Sequence, residues 1–279
     1  MKILVVGCFH GKFPKKLRKI SESCDFILST GDFGGSENFR KFMFRNFSRD
    51  FEDKIGRKKI KQFYIEDYYN GKKIIEELDK IKKPVYTIDG NWDFRNTYDI
   101  KKDYGLNFKN YPTIIRKTKN IKFLNKRIRK IKGLKIYPHG GLMLASIFHT
   151  DNYFKEKHNL YKKLHIKQRK QLFRQKSKNL DIMLTHCPPY GYFDKVKYQG
   201  INPMNGKHVG FKPYNEYIKK YAPKLFICGH MHEHQGIAKI GKTIILSHGP
   251  AQYGKAALIY YEEDSTEDFF KKFSITLIK

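Results

Sequence analysis

Cysteine, tryptophan and acidic residues are scarce in this chain: 279 residues carry 4 Cys, 1 Trp and 27 Asp plus Glu. The thiols, Cys8, Cys24, Cys187 and Cys228, form no CxxC pair. That spacing argues against a disulfide framework and for a reducing compartment, the cytoplasm. No apolar run reaches the ~20 residues that span a bilayer, so no membrane partner is expected. The opening Met1-Lys2-Ile3-Leu4-Val5-Val6-Gly7 is short and has no small-residue cleavage site behind it, unlike a secretory signal. No Pro/Gly/Ser-rich linker and no internal repeat divides the chain, so residues 1–279 are expected to fold as one domain.

The shortage of acid leaves 57 Lys plus Arg unbalanced, a net charge of +30. Such an excess invites an anionic partner, nucleic acid or nucleotide above all. An AT-rich genome would also encode a chain rich in Lys, Ile, Asn, Phe and Tyr, but that bias would raise Glu as well. The excess is concentrated. Residues 101–135 hold thirteen basic side chains against Asp103 alone, and residues 155–178 hold ten against Glu156 alone. A solvated face is the ordinary use of either run.

Apolar runs over residues 3–7, 25–30 and 84–89 read as buried strands, with a helix over 13–23 between the first two. This is a βαβ opening with parallel pairing. Residues 36–82 read as mostly helical, with a break at Tyr69-Asn70-Gly71. Short β-like pieces follow at 112–115, 127–131 and 134–137. A basic helical insert is expected over 151–178, where Phe154, Tyr161, Leu164, Leu172 and Phe173 recur at roughly helical spacing and turn one apolar stripe to the body. Residues 181–185 and 224–228 are again strands, separated by a helix over 213–221. The end reads as β at 236–240, 243–247, 256–261 and 271–278. A pair of packed mixed sheets flanked by helices accommodates this α/β order, with loops at strand ends free to build a site.

Residues of metal-ligand type follow five of these strands: Cys8-Phe9-His10, Gly31-Asp32, Gly90-Asn91-Trp92-Asp93, Thr185-His186-Cys187-Pro188 and Gly229-His230-Met231-His232. A lone His-x-His or Gly-Asp carries little. Five blocks at strand ends, all supplying imidazole, carboxylate or amide oxygen, are hard to obtain by chance. Neighbouring parallel strands bring their carboxyl ends to one edge, so positions about 220 apart can meet there.

These blocks resemble the calcineurin-like metallophosphoesterase superfamily, whose pattern runs D-x-H, G-D, G-N-H-D/E, H and G-H-x-H. The stretch 184–235, with Thr-His-Cys-Pro-Pro and Gly-Lys-His-Val-Gly, is similar to its small archaeal and bacterial members. The resemblance implies a four-layer α/β/β/α sandwich of two mixed β-sheets flanked by helices. It also implies two divalent transition-metal ions; imidazole with one carboxylate suits Mn, Fe, Zn or Co. It makes His10 and His232 ligands of one ion, Asn91, His186 and His230 ligands of the other, and Asp32 the bridge. Asn91 and His186 would also meet the substrate, and a metal-bridging hydroxide would attack the phosphate ester. Gly31 and Gly90 are expected to give sharp turns, and Asp93 to orient a ligand or a nearby donor.

Two positions depart from the pattern. Cys8 stands where the superfamily has Asp, and it either binds a softer ion through its thiolate or weakens the first metal. Trp92 stands where many members have a His that protonates the leaving group, which leans towards phosphodiesters or good leaving groups. His208, between Gly206 and Gly210, is the first candidate for a replacement catalytic imidazole, followed by His149 and His248; an ordinary hydrogen-bonded His is the alternative at each. Cys187 and Cys228 read as buried, inert thiols. Three functions stand open: a phosphoesterase acting on a phosphodiester or nucleotide-like ester, a nuclease of the same chemistry, and a binding protein whose metal site has decayed.

Overall fold

A computed structural model describes residues 1–45, 55–197, 203–262 and 273–279. The first half forms β1 (Lys2–Val6), α1 (Lys15–Glu22), β2 (Phe26–Ser29), α2 (Glu37–Arg45), α3 (Arg57–Asp79), β3 (Val85–Thr87), α4 (Tyr98–Tyr104), α5 (Tyr111–Ile115), β4 (Ile121–Phe123), β5 (Arg129–Ile131) and β6 (Leu134–His139). The second half forms α6 (His158–Leu172), β7 (Ile182–Thr185), α7 (Lys212–Tyr221), β8 (Leu225–Cys228), β9 (Gly236–Ile240), β10 (Thr243–Ser247), β11 (Ala256–Tyr261) and β12 (Phe273–Ile278). No described helix is long and apolar enough to cross a membrane.

The strands make two six-stranded mixed sheets, ordered β12-β11-β1-β2-β3-β4 and β5-β6-β7-β8-β10-β9. β1 to β4 run parallel, as do β6, β7, β8 and β10; β11, β12, β5 and β9 are antiparallel additions. Alternation along each strand sets the layers. In β1, Ile3 and Val5 pack with Ile136, Leu184 and Ile227 between the sheets, whereas Leu4 and Val6 pack outward on Leu17 of α1 and Ile74, Ile75 and Leu78 of α3. On the far side, Tyr137, Met183 and Phe226 meet Tyr214, Tyr217 and Ile218 of α7. Both faces of each sheet are therefore covered, giving the expected α/β/β/α sandwich. Strands buried on both faces must read as continuous apolar runs, which is why KILVV and LFIC were legible. Each fully buried Leu or Ile there is worth about 1.5–3 kcal/mol relative to exposure.

Three local expectations fail. Residues 112–115 form helix α5, because Asn110 caps it, its Oδ1 accepting from Thr113 N at 2.9 Å, and Pro112 suits a first turn. Tyr69-Asn70-Gly71 does not break a helix: α3 runs through it, and Gly71 is where a Cβ would lie 2.0 Å from Tyr111 Oη, the hydroxyl that donates to Tyr68 O. The rest of the long helical reading, residues 46–54, lies outside the described residues, as do residues 271–272 at the start of the last strand. In the basic segment, 3-10 turns at Ser146–His149 and Asn152–Lys157 precede α6. Its apolar stripe holds at Leu172 but not at Leu164, which is exposed. Polar side chains dock this helix instead: His165 Nδ1 donates to Leu144 O at 2.6 Å, and Gln168 bonds Leu144 N and Leu142 O, both at 2.8 Å.

Candidate metal centre

The parallel strands of both sheets deliver their carboxyl ends to one edge, and the chain leaves them through left-handed backbone. Cys8 has φ 55°, His10 42°, Asp32 59° and His230 67°. Such residues cost roughly 1–3 kcal/mol each unless the surroundings hold them. Cross-loop bonds do so: Cys8 N donates to Gly31 O at 2.9 Å, Phe9 N to Asp32 O at 2.8 Å, and His230 N to Cys8 Sγ at 3.2 Å. Gly31, at φ 85°, makes the expected turn. Gly90 does something else, for its φ is not positive and a Cβ there would meet Asp32 Oδ1 at 2.1 Å; it gives the carboxylate room.

All seven expected ligand positions come together. Cys8, His10 and His232 offer donor atoms within 4.8 Å of one another, as do Cys8, Asp32 and His186. Asp32 Oδ2 lies 3.5 Å from His10 Nε2 and 3.4 Å from His186 Nε2, between the two groups. Asn91 Oδ1 lies 2.8 Å from His186 Nε2 and 2.9 Å from His230 Nδ1, with 3.1 Å closing that triangle. His10 Nδ1 donates to Gly34 O at 3.0 Å and His186 Nδ1 to Thr30 O at 2.9 Å, which leaves both Nε2 lone pairs facing inward. A thiol, four imidazoles, one carboxylate and one amide oxygen form a borderline-soft donor set that fits divalent transition metals.

Charge follows the same design. Burial pushes His10 and His230 down to about 3, and His232 well below its ordinary value, so all three are neutral donors. Burial alone would push Asp32 up; the neighbouring His186 and His10, and the Trp92 N–H bond at 2.8 Å, outweigh it and hold the carboxyl below its usual range. Burial opposes protonation of His186 too, but Asp32 beside it raises it overall. Burial, then the Asp32 charge, drive the Cys8 thiol up. Asp93 reaches no donor triangle: its carboxylate takes Asp32 N, Gly90 N and Phe33 N, all at 2.8 Å, and ties the two loops that carry Asp32 and Asn91. Burial pushes Asp93 up to about 7 against those three donors.

The calcineurin-like phosphoesterase family matches residues 1–234. The chain belongs to that family. Metal-dependent hydrolysis of phosphoesters at a dimetal centre is the chemistry of calcineurin-like phosphoesterases. An uncharacterised protein of Methanocaldococcus jannaschii is 23% identical over 259 residues, 91% of this chain and 90% of its own length. One crystal structure is similar in fold at TM-score 0.58 and 18% identity, over 99% of this chain and 97% of that one. A dimetal phosphatase from Danio rerio aligns at TM-score 0.44 and 11% identity over 95% and 93% of the chains, too distant to bear on the site.

Beside His230 and His232 this phosphoesterase opens a cleft of about 480 Å3. Its lining is mostly apolar, with Leu142, Met143, Phe148, Met204 and Met231, and carries charge of both signs in Arg40, Lys41, Glu37 and Glu233. Met231, expected as packing, thus also faces the cleft. His208 is not among the donor groups that gather at the cluster: its Nδ1 bonds Asp194 Oδ1 at 2.6 Å and its ring packs on Tyr190, while the adjacent Val209 lines the cleft. His248 is spent on Thr30 Oγ1 at 2.7 Å, and His149 packs on His165. Cys187 and Cys228 are buried, with thiols pushed up by burial to about 12 and well above the ordinary value. Sequence reasoning missed Arg40, whose charge lowers His10, His230 and His232, and Gln252, whose amide donates to His232 Nδ1 at 3.0 Å. Neither sits in a ligand-type motif, so no local signal marked them.

Proposed function

We propose that the cluster holds two divalent transition-metal ions, Mn, Fe, Zn or Co, and hydrolyses a phosphodiester or nucleotide-like ester. Cys8, His10 and His232 would hold one ion and Asn91, His186 and His230 the other, with Asp32 shared between them. When bound, such a pair supplies a nucleophile from water at neutral pH and offsets the charge that builds on the phosphorus oxygens. The chain's own residues do the rest. Asn91, exposed at the mouth, and His186 meet the phosphate, while Asp93 keeps the two ligand loops in register. The apolar lining of the cleft suits the organic substituent of a diester, and Arg40 suits its remaining negative charge, while Lys41 is paired with Glu37 at 2.9 Å. Trp92, half-buried against His10, offers no proton to a leaving group, which favours leaving groups that depart unaided; His208, its Nδ1 bonded to Asp194 and its Nε2 left over, remains the first candidate for a replacement acid.

The observation that carries this reading is the position of the buried Asp32 carboxylate, about equally far from His10 and His186, one from each donor group. We also read the whole chain as one catalytic domain in which residues 151–178 are an insert, and the four buried free thiols as fitting the cytoplasm. The test is metal content together with hydrolysis of bis-p-nitrophenyl phosphate in Mn. We expect about two equivalents of metal, loss of activity in chelator, and a fall of roughly 100- to 1,000-fold in Asp32→Asn and His186→Ala. Full activity in either variant, or a protein that takes up no metal, sinks the reading; the latter outcome leaves a binding protein.

A further inference from the structure

The two basic runs of the sequence meet in space, at a place none of the seven metal-ligand candidates lines. The connection from β4 to β5 crosses from the edge of the first sheet to the edge of the second, and it carries the basic residues of the first run with it. On one side of it lies a cavity of about 330 Å3 lined by Arg95, Lys126, Arg127 and Arg174, with Gln171 and Gln175. Arg174 comes from the second run, just past α6. On the other side lies a second cavity of about 330 Å3, where Lys122, Arg129, Lys130 and Lys132 surround Tyr86 and Phe123. One contact joins them, since the Arg95 guanidinium lies 5.8 Å from the Phe123 ring centre.

Neither cavity has an acidic residue in its lining. Only Arg95 has a carboxylate, Asp89 Oδ2 at 2.8 Å, and the half-buried Lys126 ammonium reaches an uncharged acceptor, Gln171 Oε1, at 3.3 Å. Among the described residues no acid pairs with Arg127, Arg174, Lys122, Arg129, Lys130 or Lys132. Lysines on edge strands guard against edge-to-edge pairing, and that accounts for Lys122 and Lys130. It does not account for guanidiniums brought in from the loop after β3 and from beyond α6. Cations gathered into concavities repel one another until an anion enters, and two such cavities joined by the Arg95–Phe123 contact suit an extended polyanion better than a lone phosphate. Aromatic faces among the cations match stacked bases, whereas a lipid surface would be met by a flat face with apolar anchors.

We infer that this track binds a single strand of nucleic acid, its phosphates on the guanidiniums and ammoniums and its bases against Tyr86 and Phe123. Binding needs no hydrolysis, so the measurement is made on the full chain in chelator, with a fluorescein-labelled oligothymidylate of about twelve nucleotides. Affinity should fall with added salt by roughly 0.7 in the log–log slope for each phosphate contacted. Arg127→Gln/Lys130→Gln/Arg174→Gln should weaken binding at least about tenfold and lower that slope by roughly 2. Lys15→Gln/Lys19→Gln/Lys59→Gln, which removes as much exposed charge elsewhere, should change affinity less than about twofold. Equal weakening by the two triple variants would show bulk charge at work and overturn the inference. Two other results would also overturn it: inorganic tripolyphosphate that displaces the strand at equal phosphate concentration, or binding to phosphatidylserine vesicles without binding to the oligonucleotide. Both triple variants should keep parental hydrolysis of bis-p-nitrophenyl phosphate in Mn, which separates failure of this surface from failure of the metal centre.

Discussion

A histidine nitrogen serves a cation best when an acceptor on the other ring nitrogen holds the hydrogen there. His10 and His186 have theirs in Gly34 O and Thr30 O. His232 differs: its Nδ1 accepts from the Gln252 amide, so its Nε2 carries the hydrogen and points at His10 Nε2, 3.1 Å away. Taking up a metal there requires the amide to turn its oxygen to Nδ1. Gln252→Ala should therefore weaken metal binding by about 10- to 100-fold, with activity recovering at saturating Mn. A metal titration followed by activity checks this; a loss that excess Mn does not restore would contradict a positioning role for Gln252.

At the scale of elements, α3 shows how packing overrides a helix signal. Glycine inside a helix costs about 1 kcal/mol against alanine, so propensity alone makes Gly71→Ala stabilising. The Tyr111 hydroxyl and Gly34 N, 2.0 and 2.8 Å from the missing Cβ, reverse the sign. We expect Gly71→Ala to lose about 1–3 kcal/mol in urea unfolding. A gain in stability would show that α3 can move away from α5, and that the glycine is a leftover of sequence rather than a contact. The same competition explains why residues 112–115 read as β and fold as helix: an apolar pair of isoleucines carries no period, while the cap at Asn110 does its work through geometry.

Across the whole molecule, pH acts on histidines that fold neutral. His139, fully buried beside Tyr214, is held well below its ordinary value by burial and by the Lys126 charge, and His248 is pushed down to about 4 by burial. In the unfolded chain both protonate near 6.5. The unfolded state therefore binds more protons below that pH, so their contribution is complete above it and is lost as pH falls towards 4. Each should remove roughly 2 kcal/mol between pH 6.5 and 5. In chelator His10 and His230 act in the same direction, whereas Asp93 and Asp67, pushed up by burial to about 7, take up protons on folding and oppose them; the readout is therefore the variant against the parent, and His139→Gln should lessen the loss of urea midpoint as pH falls. A pH dependence identical in His139→Gln and the parent would contradict the neutral burial of this ring.

The sequence by itself determined the doubly covered strands and the polar blocks behind them, though not the edge strand β4, because a strand covered on both faces must be apolar throughout and a loop at its carboxyl end is where polar residues collect. It also marked both basic runs. Only the tertiary structure decided which partners those residues have. Asp93 serves three backbone N–H groups rather than a cation, His208 belongs to Asp194, and Gln252 reaches His232 across 20 positions. The two basic runs likewise meet only because β4 and β5 are edge strands of different sheets. Such pairings are set by how sheets stack and where edges fall, and no local periodicity encodes a contact between segments that find each other only after the core has closed.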